Sequence, residues 1–165
     1  MEKNTNNLIR EGVEKILVNA GLGKLRTQTS FEDKILPEIM KELAVITGQK
    51  PALRVAKKSI AGFKVREGDV IGLQVTLRGK RKEDFYNRLV NAVLPRVKDF
   101  RGIDLAFLDQ GNIMNFGIKE QVVFPEINAD QSKVHFSLQV TIVPKISYRH
   151  QGGEFYRQLG LPLKK

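Results

Sequence analysis

The sequence predicts an α+β fold: a single, mainly antiparallel sheet with helices packed on one face and a polar face on the other. Two segments, 71–78 and 134–143, alternate apolar and polar residues with the two-residue period of a half-buried strand. Two others, 31–46 and 83–94, carry apolar residues at helical spacing. Their order mixes hairpin-like and crossover connections, which fits one sheet covered on one side. A chain of 165 residues can bury a core of this kind as one domain.

Residues 1–12 are polar and lack periodicity, so they read as a short arm ahead of a single domain over 13–165. Val13 to Asn19 reads as a strand closed by the Gly21-Leu22-Gly23 turn. Phe31, Ile35, Ile39, Leu43 and Ile46 form the stripe of the first helix, with Ser30 as N-cap and Gly48 as C-terminal stop. Pro37 is out of place in that pattern. Residues 52–78 read as two strands around a basic loop. In the second, Ile71, Leu73, Val75 and Leu77 face inward and Gly72, Gln74, Thr76 and Arg78 outward. The next helix runs from about Glu83 to Leu94 on Phe85, Leu89 and Val93, ended by Pro95.

Short strands are expected near Met114–Ile118 and Val122–Phe124. A longer one follows, with Val134, Phe136, Leu138, Val140 and Ile142 inward and His135, Ser137, Gln139 and Thr141 outward. A final helix is expected around Glu154–Leu159. The outer face of the sheet then carries Asn19, Gln74, Thr76, Ser137, Gln139 and Thr141, polar groups that can bind a ligand or simply meet water.

The net charge is +10, and its distribution is uneven. Residues 1–49 are neutral overall, residues 50–101 carry +9 and residues 102–165 carry +1. A cationic field confined to one third of a folded chain points to a polyanionic partner. Without cysteine there is no disulfide, zinc–thiolate site, iron–sulfur cluster or thiol nucleophile. No apolar run approaches the roughly 18–20 residues of a membrane span. The start MEKNTNNLIREGVEK lacks an apolar signal core, so a soluble intracellular protein is expected.

Catalytic patterns fail on inspection. His135 and His150 fit no metal-ligand spacing. The Asn19–Lys24 turn has Arg26 where a dinucleotide fingerprint needs its third glycine. Phosphate loops ending at Lys24 or Lys80 would need glycine at Val18 or Gln74. The acidic pairs Glu32/Asp33 and Glu83/Asp84 sit at expected helix starts, where they complement the dipole. No cofactor is implied.

The basic segment is more informative. Arg54, Lys57, Lys58, Lys64 and Arg66 fall within thirteen residues that contain no acid, interrupted by Ser59-Ile60-Ala61-Gly62-Phe63. Gly62 permits close backbone approach, and Phe63 can stack on a base or ribose. Arg78-Gly79-Lys80-Arg81-Lys82 adds a second cluster on an expected turn. Such cations attract phosphates, but they also suit a solvated or membrane-facing surface, so charge alone leaves both open.

Four stretches together resemble one family. They are VEKILVNAGLGK (13–24), ITGQKPALRVAKKSIAGFKVREGDVIGLQVTLRGKR (46–81), LPRVKDFRGI (94–103) and GNIMNFGIKEQVVFPEI (111–127). In order and spacing, over about 115 residues, they are similar to the bacterial form of the universal large-subunit ribosomal protein five family.

That resemblance implies a non-enzymatic ribosomal component, a monomer within the ribosome. It implies binding to 5S rRNA and other large-subunit rRNA in the central protuberance, through Asn19, Gln49 and Thr76, with Lys50 and Arg78 beside them. The loop at about 59–68 would reach the elbow of P-site tRNA through Ser59, Gly62, Phe63, Lys64 and Arg66. Asp109, Gln110 and Asn112 would contact small-subunit ribosomal protein thirteen across the intersubunit bridge, although the family's Asp-Gly-Arg-Gly-Asn-Tyr loop is altered here. The implied location is the cytoplasmic ribosome, without excluding an organellar one, and no membrane partner is implied. The runner-up function is an RNA-binding or RNA-chaperone module outside the ribosome.

Overall fold

The computed structural model describes residues 2–164, so Met1 and Lys165, the outermost residues of the expected arm and domain, lie outside it. The chain runs α1 (Glu2–Gly12), β1 (Val13–Gly21), α2 (Leu36–Thr47), β2 (Ala52–Val55), β3 (Val70–Leu77), α3 (Gly79–Arg88), β4 (Met114–Ile118), β5 (Leu138–Pro144), α4 (Ile146–Arg149) and α5 (Gly153–Gln158). The five strands form one antiparallel sheet in the order β2-β3-β1-β5-β4.

β1 is central because it alone pairs on both edges with long strands. Val18 stands opposite Val75 of β3 and Val140 of β5, while Asn19 stands opposite Gln74 and Gln139. Alternate residues therefore sort into two faces. The inward rows meet Ile39, Leu43 and Ile46 of α2, Phe85 and Tyr86 of α3 and Phe155 and Leu159 around α5, all in one buried core. Among the described residues the helices that share this core pack on that face, as in an α+β fold.

Residues 2–12 form a helix instead of the expected loose arm. Ile9 is buried and anchors it, and its end is fixed by close packing: a Cβ on Gly12 would lie 2.6 Å from the Phe155 ring. With so few apolar residues, periodicity could not reveal a helix whose stability comes from tertiary contacts.

The first expected helix is in two parts. Phe31–Ile35 is a π-helical turn that runs directly into α2, which begins at Leu36, and Pro37, which has no N–H to donate, sits where the two meet. Ser30 is left-handed (φ 63°), and its side chain makes no capping hydrogen bond. Gly48 ends α2 in the left-handed conformation, as expected.

α3 starts at Gly79, four residues before the expected Glu83, so the 78–82 cluster is a helix entry and not a turn. Glu83 and Asp84 are consequently not in the first turn. Lys82 is buried, and its ammonium donates to the carbonyls of Arg10 and Val13 where α1 meets β1.

Val122–Phe124 is not a strand; Gln121–Val123 is a 3₁₀ turn. β5 begins at Leu138 because its partners stop there: Leu138 pairs with Ala20 and with Ile118. Upstream, buried Gln121 replaces a neighbouring strand. Its Oε1 accepts from Phe136 N at 3.1 Å and its Nε2 donates to Val134 O at 2.6 Å.

The buried polar groups can be tested by unfolding. Lys82→Met should cost about 1–3 kcal/mol in urea unfolding, because two carbonyls lose their donor. Burial raises the pKa values of Tyr86 and Tyr156 above 10.0. Both stay neutral in the fold while the unfolded chain ionises, so their stabilisation is complete below pH 10 and is lost above it. Lys82 acts in the opposite sense, its folded pKa being lowered from 10.5, so the tyrosine effect is read above that pH. Stability should there fall by about 1.4 kcal/mol per pH unit for each tyrosine, and Tyr86→Phe should remove one share of that slope.

Candidate nucleic-acid interface

The sheet face away from the helices is built by register. One row crosses it as Ala52, Gln74, Asn19, Gln139 and Gly117. Gln74 Nε2 donates to Asn19 Oδ1 at 2.8 Å, and Arg54 of the edge strand donates to Gln74 Oε1. Among the described residues Asn19 Nδ2 and Thr76 Oγ1 have no hydrogen-bond partner, so both remain available to a ligand. Thr141, expected to face out, is on this face but buried, its hydroxyl donating to Asn115 Oδ1 at 2.7 Å.

A shallow hollow of about 730 Å³ lies across this face. Its floor includes Gly21, Gly72 and Gly117, and Arg54, Lys119 and Phe107 also line it. Gly21 stands opposite Gly72, so the backbone is bare there and an extended ligand can approach the strands directly.

At the other end of β3, three expected contacts converge. Gln49 follows α2, and its Nε2 approaches Thr76 O at 3.4 Å while its Oε1 accepts from Arg81 at 3.2 Å. Lys50 and Arg78 are exposed beside them, Arg78 lying 3.8 Å from Glu14. The first turn of α3 contains Lys80, Arg81 and Lys82 and no acid. Cations at a helix N-terminus oppose the dipole, an arrangement that a bound phosphate would relieve. Lys82 cannot serve here, because it is buried; desolvation, then Lys145 and later Arg78 push its pKa down against the opposing Glu83.

The basic loop is a compact hairpin. Ile60 and Val65 exchange backbone hydrogen bonds of 2.8 and 3.2 Å, around a 3₁₀ turn at Ala61–Phe63. Phe63 is 76% exposed at the tip, and Lys64 is left-handed at φ 51°. Gly62 has nothing within 4 Å of a Cβ, so its open side faces outward. Lys64 and Arg66 are exposed, whereas Ser59 is engaged within the loop, accepting from Glu67 N at 2.9 Å. Sequence reading missed Arg26. It pairs with Asp69 and donates to Lys64 O, contacts between distant segments that no local pattern signals.

The 109–112 loop is largely self-satisfied. Asp109 Oδ1 accepts from Gly111 N and Ile113 N, both at 2.8 Å. Asn112 Nδ2 donates to Arg149 O at 2.7 Å, and the Tyr156 hydroxyl donates to Asn112 O at 2.7 Å. Gln110 is the exposed tip.

Among the described residues no three metal-ligating side chains cluster, and no helix is long and apolar enough to cross a membrane. Two family models match the chain: that of ribosomal protein L5 over residues 10–66, and that of the C-terminus of the same ribosomal family over residues 70–163. The chain is 45% identical over 153 residues to the large ribosomal subunit protein uL5 of Fusobacterium nucleatum, covering 93% of this chain and 81% of that one. It is 40% identical to the uL5 of Halothermothrix orenii (93% and 83% covered) and 44% to that of Desulfosudis oleivorans (92% and 83%). With models of one family matching residues 10–66 and 70–163 and relatives 40–45% identical over 153 residues, the chain belongs to the ribosomal protein L5 family, structural, non-enzymatic proteins of the large ribosomal subunit.

Proposed function

We propose that this chain clamps 5S rRNA to the large subunit through its open sheet face, with Asn19, Gln49 and Thr76 reading the RNA and Lys50 and Arg78 holding its phosphates. The observation that carries this is the half-covered sheet. Among the described residues one face carries no helix, offers unpaired polar groups at Asn19 and Thr76, and is flanked by the cationic entry of α3. Uncharged donors and acceptors can select an RNA shape, while cations supply affinity for any RNA.

The loop at 59–68 contacts the elbow of P-site tRNA. Phe63, Lys64 and Arg66 project from it, Gly62 leaves room for a backbone, and Ser59 acts by holding the loop's shape. The bridge to small-subunit ribosomal protein thirteen runs through Gln110, with Asp109 and Asn112 shaping the loop that presents it.

Binding to 5S rRNA is measured by titration against an unrelated structured RNA. Asn19→Ala and Thr76→Ala should each weaken the 5S complex by about 1–3 kcal/mol. Wild-type affinity in both variants, or equal affinity for the two RNAs, rejects the sheet-face reading. With roughly five phosphates contacted, log K should fall by several units per decade of salt. Lys64→Ala/Arg66→Ala should keep 5S affinity and lower P-site tRNA affinity in reconstituted subunits. Loss of 5S binding in that variant would show that the loop belongs to the 5S surface instead.

A further inference from the structure

The basic loop leaves the sheet between β2 and β3 and is pinned at its neck by Ala56 N to Asp69 O (2.8 Å) and Gly68 N to Ala56 O (2.9 Å). Its remaining backbone hydrogen bonds, among them the Ile60–Val65 pair, Lys64 N to Ala61 O and Glu67 N to Ser59 Oγ, are internal. They hold the hairpin's shape but do not orient it on the sheet. Residues 57–64 are exposed, so hydrophobic packing of that stretch does not orient it either.

Only one side chain from elsewhere grips the loop among the hydrogen bonds of the described residues. Arg26 lies in the 3₁₀ turn Leu25–Thr27 just past β1, itself tied down by Arg26 N to Leu22 O at 2.9 Å. Its guanidinium forks: Nη1 pairs with the Asp69 carboxylate at the stem, and Nη2 donates to the Lys64 carbonyl at the tip. The same Asp69 oxygen accepts from Arg66 N at 2.6 Å. Arg26 is turned inward, with 17% of its side chain exposed, although its neighbours in the basic field face solvent. A planar fork fixes an angle as well as a distance, which a single ammonium cannot do.

We propose that Arg26 is the positioning residue of the basic loop, locking the hairpin against the turn after β1 so that Phe63, Lys64 and Arg66 are presented in one orientation. The inference deepens the RNA-contacting role proposed for that loop. Arg26 does not itself touch RNA. It removes the entropy that a swinging hairpin would lose on binding, so its effect on affinity is indirect.

The test uses the full chain. Limited trypsinolysis, read by mass, follows cleavage after Lys64 and Arg66 in wild type, Arg26→Met and Arg26→Lys, with thermal unfolding in parallel. Arg26→Met should raise cleavage within the loop about tenfold or more at unchanged Tm, because local opening exposes the sites without global unfolding. Arg26→Lys, which keeps one of the two contacts, should restore part of the protection. Should Arg26→Met lower Tm, Asp69→Asn, which keeps an oxygen for Arg66 N and removes the charge that pairs with Arg26, decides by the same readout. Wild-type cleavage in the decisive variant overturns the lock. In reconstituted large subunits Arg26→Met should lower P-site tRNA affinity and spare 5S binding. A loosened loop with unchanged tRNA affinity would leave the lock standing and reject the tRNA role of the loop.

Discussion

The structure depends on β1 being paired on both edges and covered on one face only. Its inward residues Ile16, Val18 and Ala20 are fully or almost fully buried, and its outward residue Asn19 is bound sideways to Gln74. Helices on both faces would bury Asn19 at the cost of unmet hydrogen bonds. A single covered face satisfies the apolar half of the strand and leaves the polar half for a partner. The glycine floor beside Asn19 extends the same arrangement, leaving the backbone bare on the open face.

The family models meet near residues 66–70, at the base of the basic loop, yet the sheet crosses that boundary. β1 and β2 belong to the first match, and β3, β4 and β5 to the second. The core joins the two halves through the rows that link Leu73, Ala20 and Leu138. Neither half presents the complete polar face. The candidate interface is therefore a product of the whole sheet, with Asn19 and Gln49 coming from one half and Thr76 and Arg78 from the other.

Much of this was legible in the sequence. Alternation located β3 and the regular part of β5, and Gly48 marked the end of α2, because those signals are local. What escaped was set by distant partners. α1 rests on Ile9 and a glycine pressed against Phe155, Gln121 stands in for a strand through its side chain, and Lys82 is drawn inward by carbonyls of another segment. The candidate site divides the same way. The polar row and the exposed loop tip follow from alternation and charge, whereas the Arg26 clamp and the internal engagement of Ser59, Asp109 and Asn112 need the folded chain.

The contact between Gly12 and Phe155 has a consequence for how the molecule is made. β1 takes one neighbour from residues 70–77 and the other from residues 138–144, and the end of α1 packs on a ring still later in the chain. A nascent chain emerges N-terminus first, so β1 waits with one edge unpaired until residues 138–144 have been synthesised. Closure is a late, long-range event, slow by its topology. Until it occurs the inward face of β1 lacks part of its cover, and the outward face lacks the Gln139 that completes its row. The polar row of the open face is thus complete only after β5 has been made.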